Sequence, residues 1–265
     1  MNSSNTLLSK ALVDAWRSGK VLDAADAKRL APGTDQAAYR IQREVGEALG
    51  WFANDKPKAW KVGGTLQRPT ASPIADLHMV KGPFAMAYSE RHTMIGIEVE
   101  LAIQLESPLP HGSTLSDAYK AVGSVMAAIE ICDVRAECWQ ELPDMFLLAD
   151  HQMNRCLILG EAVKSDWNPH YANSIVSIKS NKRDIKGKEL RHPLADPLIL
   201  LPWLAKHAAS QYPPGLQAGD IITTGTWAGI FEAHPGEIVK ASFSDIGEVS
   251  VLVEPYPEII NPEFI

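Results

Sequence analysis

Apolar and polar positions along this chain follow two periods, and the first fifty residues keep the helical one. Leu7, Leu8, Ala11, Leu12 and Trp16 recur at three- and four-residue steps, which predicts an amphipathic helix closed by Gly19. A second such helix is expected over residues 35–49, with Ala38, Ile41, Val45 and Leu49 on one face, Thr34 or Asp35 as its cap and Gly50 as its terminator. Beyond it the period shortens to two. Ile97, Val99, Leu101 and Ile103 alternate with Gly96, Glu98, Glu100 and Ala102, the pattern of a half-buried strand. Residues 125–132 read as a buried strand, and residues 237–243 and 248–254 as two more after a Pro235-Gly236 turn. Ser116 is the expected cap of a short helix to Val122, and residues 197–209 predict an apolar helix broken or shifted at Pro202. Residues 67–83 are punctuated by proline and predict an irregular connection, residues 174–190 a polar hairpin turning near Asn181, and residues 216–227 a turn feeding a strand. Helices first, then short strands on long connections, predict an α+β domain and not a doubly wound sheet.

Composition narrows the partners. A chain of 265 residues, 46% apolar and 22% charged, has the mix of an ordinary soluble globular protein with one large domain or a core and a smaller appendage. A formal charge of −7 argues against a nucleic-acid backbone or an anionic membrane, so an anionic substrate would need a local attraction, a metal ion or a particular Lys or Arg. Cys132, Cys138 and Cys156 are odd in number and scattered, which predicts reduced thiols in a cytosolic protein. Residues 1–16 show no secretory-signal pattern, and the most apolar run, residues 197–205, is too short to span a bilayer. A soluble, cytoplasmic protein is expected.

The candidate chemistry starts at Glu98 and Glu100. A strand directs both from the same face, ~7 Å apart along the backbone. Two such carboxylates repel unless one takes a proton or a cation sits between them, and a hard dication such as Mg²⁺ or Mn²⁺ suits oxygen ligands. A solvated strand face would carry the same pair. Lys61, between Trp60 and Val62, is either the exposed side of a strand or a buried functional cation, and Gly63-Gly64 permits close backbone approach. Glu130 lies within an apolar run and must be protonated, metal-bound or paired, with Arg135 the nearest candidate partner in sequence. Asp76 and His78 fall in the irregular 67–83 stretch, and His151 reads as a hydrogen-bonded structural histidine.

Together these stretches resemble the fumarylacetoacetate hydrolase superfamily, in its branch of 2-oxopent-4-enoate hydratases and 4-oxalocrotonate decarboxylases. The carriers are Lys61-x-Gly63, Glu98-x-Glu100, Ala128-Ile-Glu130-Ile with Asp133 and Arg135, Ala149-Asp150, the region from His192-Pro193 to Trp203-Leu204-Ala205, and Gly219-Asp220-Ile-Ile-Thr-Thr-Gly225-Thr226. The resemblance implies a mixed β-roll with an N-terminal helical segment (1–55) ahead of a catalytic β-roll domain (56–265), the two forming one unit. It implies that Glu98, Glu100 and Glu130 bind one divalent ion, Mg or Mn, that Lys61 is catalytic, and that Thr65 and Thr226 hold a substrate carboxylate. Two departures stand out. The branch usually reads Lys-Ile-Gly-Leu-Thr-Ser where this chain has Lys61-Val-Gly-Gly-Thr-Leu66, and its downstream Pro-Asp is here Pro73-Ile74, so the aspartate's part is either missing or passed to Asp76 or His78. The implied activity is hydration of a 2-hydroxy-2,4-dienoate, a small 2-oxo acid type of substrate, in aromatic catabolism, by a homo-oligomer. Alternatives are 4-oxalocrotonate-type decarboxylation, a carbon–carbon hydrolase acting on acylpyruvates or fumarylacetoacetate, and, from a different class, a non-catalytic scaffold in which the acids form salt bridges.

Overall fold

The computed structural model describes residues 3–182 and 190–256. Three helices lead: α1 (Ser3–Ser18), α2 (Ala24–Leu30) and α3 (Asp35–Leu49). Gly19 ends α1 at φ +72°, and Gly50 ends α3 at φ +64°, a left-handed conformation that glycine adopts without steric cost. Thr34 caps α3, its hydroxyl accepting from the Ala37 N–H at 3.2 Å. The seven residues of α2 are too few to show a period, so its signal is only the cap, where Asp23 accepts from the Asp26 N–H at 2.9 Å.

The strands follow in chain order as β1 (Ala59–Gly64), β2 (Pro69–Ile74), β3 (Met79–Lys81), β4 (Phe84–Ala87), β5 (Gly96–Leu105) and β6 (Val122–Cys132). After these come β7 (Asn154–Leu159), β8 (Val163–Lys164), β9 (Val176–Ser180), β10 (Ile221–Thr223), β11 (Phe231–Glu232), β12 (Ile238–Phe243) and β13 (Gly247–Glu254). Helices α4 (Leu115–Ala121), α5 (Asp144–Ala149) and α6 (Leu201–Gln211) are set between them. One sheet runs β2-β1-β10-β5-β6-β7-β3, with β11 added to β5 and β8 to β6; the other runs β4-β13-β12-β9. Pairing is mixed, parallel for β1 with β10, β3 with β7 and β4 with β13, and antiparallel elsewhere. This is the expected α+β architecture of a mixed, rolled sheet flanked by helices.

The alternating residues of β5 explain why the sheets stack. Ile97, Val99, Leu101 and Ile103 are fully buried and join Ile129, Ile131, Val249 and Val251 in the main core, while β13 lies across β6 and β7. The opposite face of β5 is not solvated. Its far end, at Ala102, packs with Ala59, Ile74, Met126, Ala128 and Leu157. A separate apolar cluster (Leu8, Leu12, Ile41, Val45, Phe146 and Leu148 among others) joins α1 and α3 to α5.

Four local expectations are corrected. Residues 67–83 hold β2 and β3; Pro69 and Pro73 are tolerated because β2 is an edge strand whose one neighbour is β1. The cap of α4 is Thr114, not Ser116, in a reciprocal capping box with Asp117. Pro202 starts α6 instead of breaking it, since a proline in the first turn removes no helical hydrogen bond. Of the expected 174–190 hairpin, β9 pairs with β12, and residues 183–189 lie outside the described residues. Among the described residues no helix is long and apolar enough to cross a membrane.

Arg135, fully buried, is matched not by Glu130 but by Asp150, Nε to Oδ1 at 2.6 Å. Asp150→Ala would leave that guanidinium buried without a counter-charge, and urea denaturation is expected to show a loss of about 3–5 kcal/mol. Burial pushes three imidazoles far down from 6.5, His78 and His151 to about 3 and His207 to about 4. The unfolded chain therefore binds more protons as pH falls through 6.5. Stability should decline from there towards pH 3, and His207→Gln should flatten that limb of the denaturation-midpoint profile.

Candidate active site

The register between β5 and β6 sets Glu98 directly opposite Glu130, and Glu100 opposite Ala128. Glu98 and Glu100 thus emerge beside Glu130 on one face, next to Lys61 from β1. Lys61 is buried; its ammonium donates to Glu130 Oε1 at 2.6 Å and to the Gln152 carbonyl at 3.0 Å, and lies 3.5 Å from Glu98 Oε2. Of the two sequence readings of Lys61, the buried cation is the one observed. Asn154 Nδ2 donates to the same Glu130 oxygen at 2.9 Å, and the other oxygen, Oε2, is buried with no hydrogen-bond partner. Glu100 Oε2 accepts from the Gly225 N–H at 2.8 Å.

The electrostatics follow from this crowding. Burial and the neighbouring Glu130 and Glu98 hold Glu100 well above the usual carboxylate range, against the opposing pull of Lys61. Burial likewise raises Glu130, opposed first by Lys61. Burial by itself would lower Lys61, but Glu130, Cys132, Glu98 and Glu100 overcome it and hold the ammonium charged. One cation thus faces three carboxylates, an arrangement that favours a proton or a second positive charge.

Such a charge has donors waiting. Ligand atoms of Glu98, Glu130 and Cys132 lie within 4.8 Å of one another, and Glu100 is on the same wall. Burial, then Glu98, holds the Cys132 thiol well above its usual range, so it remains an S–H that donates to Glu98 Oε2 at 3.3 Å. A protonated thiol is a poor ligand for a hard dication, whereas the carboxylates, with one Glu130 oxygen unpartnered, fit it. All three cysteines are free.

These groups open into a cavity of about 510 Å³ whose walls include Lys61, Glu98, Glu100, Thr65 and Thr226. Thr65 Oγ1 accepts from the Arg68 N–H at 3.0 Å, and Thr226 Oγ1 donates to the Gly229 carbonyl at 3.2 Å. Gly64 lies between Lys61 and Thr65 at φ +84°; a Cβ there would lie 2.3 Å from the Arg68 carbonyl. Asp76 is not brought to this cavity. β2 runs antiparallel to β1 with Ile74 opposite Ala59, so Asp76 falls beyond the end of the ladder away from Gly64 and Thr65, and accepts from the Ala53 N–H at 3.2 Å. His78 is likewise elsewhere, stacked on Trp16.

Several site residues escaped the sequence reading. Gln152 presents its carbonyl to Lys61 because His151, Gln152 and Met153 all adopt positive φ (53°, 51° and 65°), a strained run that local sequence does not announce. The helical lead-in holds that run: His151 Nε2 donates to the Gln42 carbonyl at 3.1 Å, and Gln42 Nε2 donates to the Leu148 carbonyl at 2.6 Å. Arg68 and His192 also line the cavity, and His192 Nε2 donates to the Thr224 carbonyl at 2.8 Å. Two had a readable signal: strand spacing puts Cys132 on the face of Glu130, and His192 opens one of the short segments that carry the family resemblance.

The family model for the fumarylacetoacetate (FAA) hydrolase C-terminal region matches residues 36–254. The chain belongs to the fumarylacetoacetate hydrolase family. Within it, the chain is similar to members of the 2-oxopent-4-enoate hydratase and 4-oxalocrotonate decarboxylase branch. It is 28% identical over 239 residues to the 2-oxo-hept-4-ene-1,7-dioate hydratase of Escherichia coli, covering 82% of this chain and 86% of that one. It is 25% identical over 237 residues to 2-keto-4-pentenoate hydratase 2 of Dechloromonas aromatica (strain RCB), covering 84% and 88%. The solved 4-oxalocrotonate decarboxylase from Pseudomonas putida G7, complexed with magnesium and adipate, shares the fold with a TM-score of 0.77 at 20% identity, over 96% of this chain and 98% of that one.

Glu98→Ala and Glu130→Ala are each expected to lower the stoichiometry of Mg²⁺ or Mn²⁺ retained after gel filtration to near zero. Cys132→Ser should retain it. Loss in Cys132→Ser alone would move the ligand assignment to the thiol.

Proposed function

We propose that this chain is a divalent-metal-dependent hydratase that adds water to a 2-hydroxy-2,4-dienoate of the 2-oxopent-4-enoate type, giving a 4-hydroxy-2-oxo acid. The observation that carries this reading is the buried Glu130, opposite Glu98, with one oxygen shared by Lys61 and Asn154 and the other unpartnered. The hydratase names of the two relatives support the reaction class, and the magnesium and adipate of the solved decarboxylase support a dication beside a carboxylic acid.

Glu98, Glu100 and Glu130 would hold the ion, which when bound supplies Lewis acidity to the carboxylate and keto oxygens of a 2-oxo acid. Thr65 and Thr226, on the cavity wall, would receive the substrate carboxylate. Leu147, Leu148, Met145 and Leu194 offer an apolar lining for the diene and limit bulk water. The net reaction moves the 2-hydroxyl proton away, places a proton on C5, and then adds water oxygen to C4 and a proton to C3. Lys61, held charged between Glu130 and the Gln152 carbonyl, would carry the proton at Nζ.

A second reading, decarboxylation of a 4-oxalocrotonate-type diacid, is favoured by Arg68. This cation lines the same cavity, with Asp35 at 3.1 Å and Asp144 at 3.8 Å, where it would meet a second carboxylate.

The deciding assay supplies the Mg²⁺-loaded protein with 2-hydroxydienoates with and without a second carboxylate. Loss of dienoate absorbance without CO₂ is expected. Release of CO₂ from the diacid, with the monoacid untouched, would make the enzyme a decarboxylase. Lys61→Met should lower kcat by about 10²–10⁴-fold while metal stays bound; unchanged kcat would remove Lys61 from the chemistry.

A further inference from the structure

A second cavity, of about 430 Å³, shares no lining residue with the first. It is walled by Trp16 from α1, Trp51 just past α3, His78, Glu90, Arg91 and Arg155. Arg155 owes its place there to a bulge. Ile131 pairs with Cys156 and the next residue, Cys132, with Asn154, so Arg155 is the extra residue of β7 and its side chain is re-aimed.

Arg155 lies over the Trp16 ring at 5.2 Å, and Arg135 over the same ring at 4.6 Å. Arg135 is neutralised by Asp150. Arg155 makes no side-chain hydrogen bond or ion pair among the described residues, and its Nε is buried without a partner. Asp133 and Glu90 act on it from a distance, but no carboxylate among the described residues pairs with it directly. His78 is kept neutral by burial and by Arg155 and Arg135 themselves. His92 is engaged with Asp133 at 2.9 Å. Arg91 is a further cation, folded over Tyr88 with its ring centroid at 3.8 Å. Glu90, exposed on the rim, forms no ion pair among the described residues. A guanidinium does not shed its proton at physiological pH, so a half-buried one with no directly paired carboxylate carries a desolvation cost that an anion relieves. Burial, then Arg135, disfavour the charge of Arg155, and Asp133, Cys156 and Glu90 offset them only in part, in keeping with a site short of one anion. Leu49 and Trp51 give an otherwise polar wall one apolar side, and the volume falls within the range of small-molecule pockets.

We propose that this cavity binds a small organic carboxylate, its oxygens on the Arg155 guanidinium and its apolar body against Trp51 and Leu49. Benzoate is a suitable probe for the full-length protein in Mg²⁺ buffer, followed by the indole N–H resonances. The Trp16 signal is identified by its loss in Trp16→Phe. Benzoate should shift it saturably, whereas the neutral isostere benzamide should not, and Arg155→Gln should weaken the response at least tenfold. An unmoved Trp16 signal, an equal response to benzamide, or undiminished binding in Arg155→Gln would overturn the site. The benzamide comparison holds even if that variant folds poorly. Sulfate saturating as tightly as benzoate would overturn the choice of an organic acid.

Discussion

The structure turns on a carboxylate that the fold buries and then only half satisfies. Glu130 sits near one end of the longest strand pairing among the described residues, opposite a second glutamate, with a single ammonium to offset both. An arrangement of this kind lowers stability unless something further is bound, because desolvating a charge costs several kcal/mol, of the order of what holds a domain together. The surrounding parts make sense as means of tolerating that cost. Asn154 donates to one Glu130 oxygen, the Gln152 carbonyl accepts from Lys61, and the Gly225 amide takes up Glu100.

Strain is placed at the same location. Three consecutive non-glycine residues with positive φ lie immediately before Asn154, and α3 fastens them through Gln42. The N-terminal helices therefore do more than cover the sheet. Their cluster with α5 fixes the segment that carries the Lys61 acceptor, which couples the packing of the lead-in to the geometry of the acids. The same turn delivers Asp150 to Arg135, so one stretch of five residues serves a structural ion pair and, through Gln152 and Asn154, the candidate site.

The two guanidiniums over Trp16 show how differently one chemical group is used at a single ring. Arg135 is matched in charge and hydrogen-bonded at Nε, Nη1 and Nη2, which makes it part of the framework. Arg155 has the aromatic contact without the carboxylate. Proteins rarely bury a cation in that state, and the cavity in front of it offers room for the missing charge.

Much of this was legible in the sequence, because it depends on neighbours along the chain. Period-two alternation placed Glu98 and Glu100 on a common face, the terminators of α1 and α3 followed from glycine, and the ordered short motifs identified the family. The tertiary structure decided the rest. Whether the glutamate face met water, whether Glu130 paired with Arg135 or with Lys61, and where Asp76 fell all depend on register between strands tens of residues apart. The left-handed run at 151–153 and the bulge at Arg155 likewise have no local signal. Local sequence fixes which side of a strand a residue occupies; only the assembled sheet fixes what lies across from it.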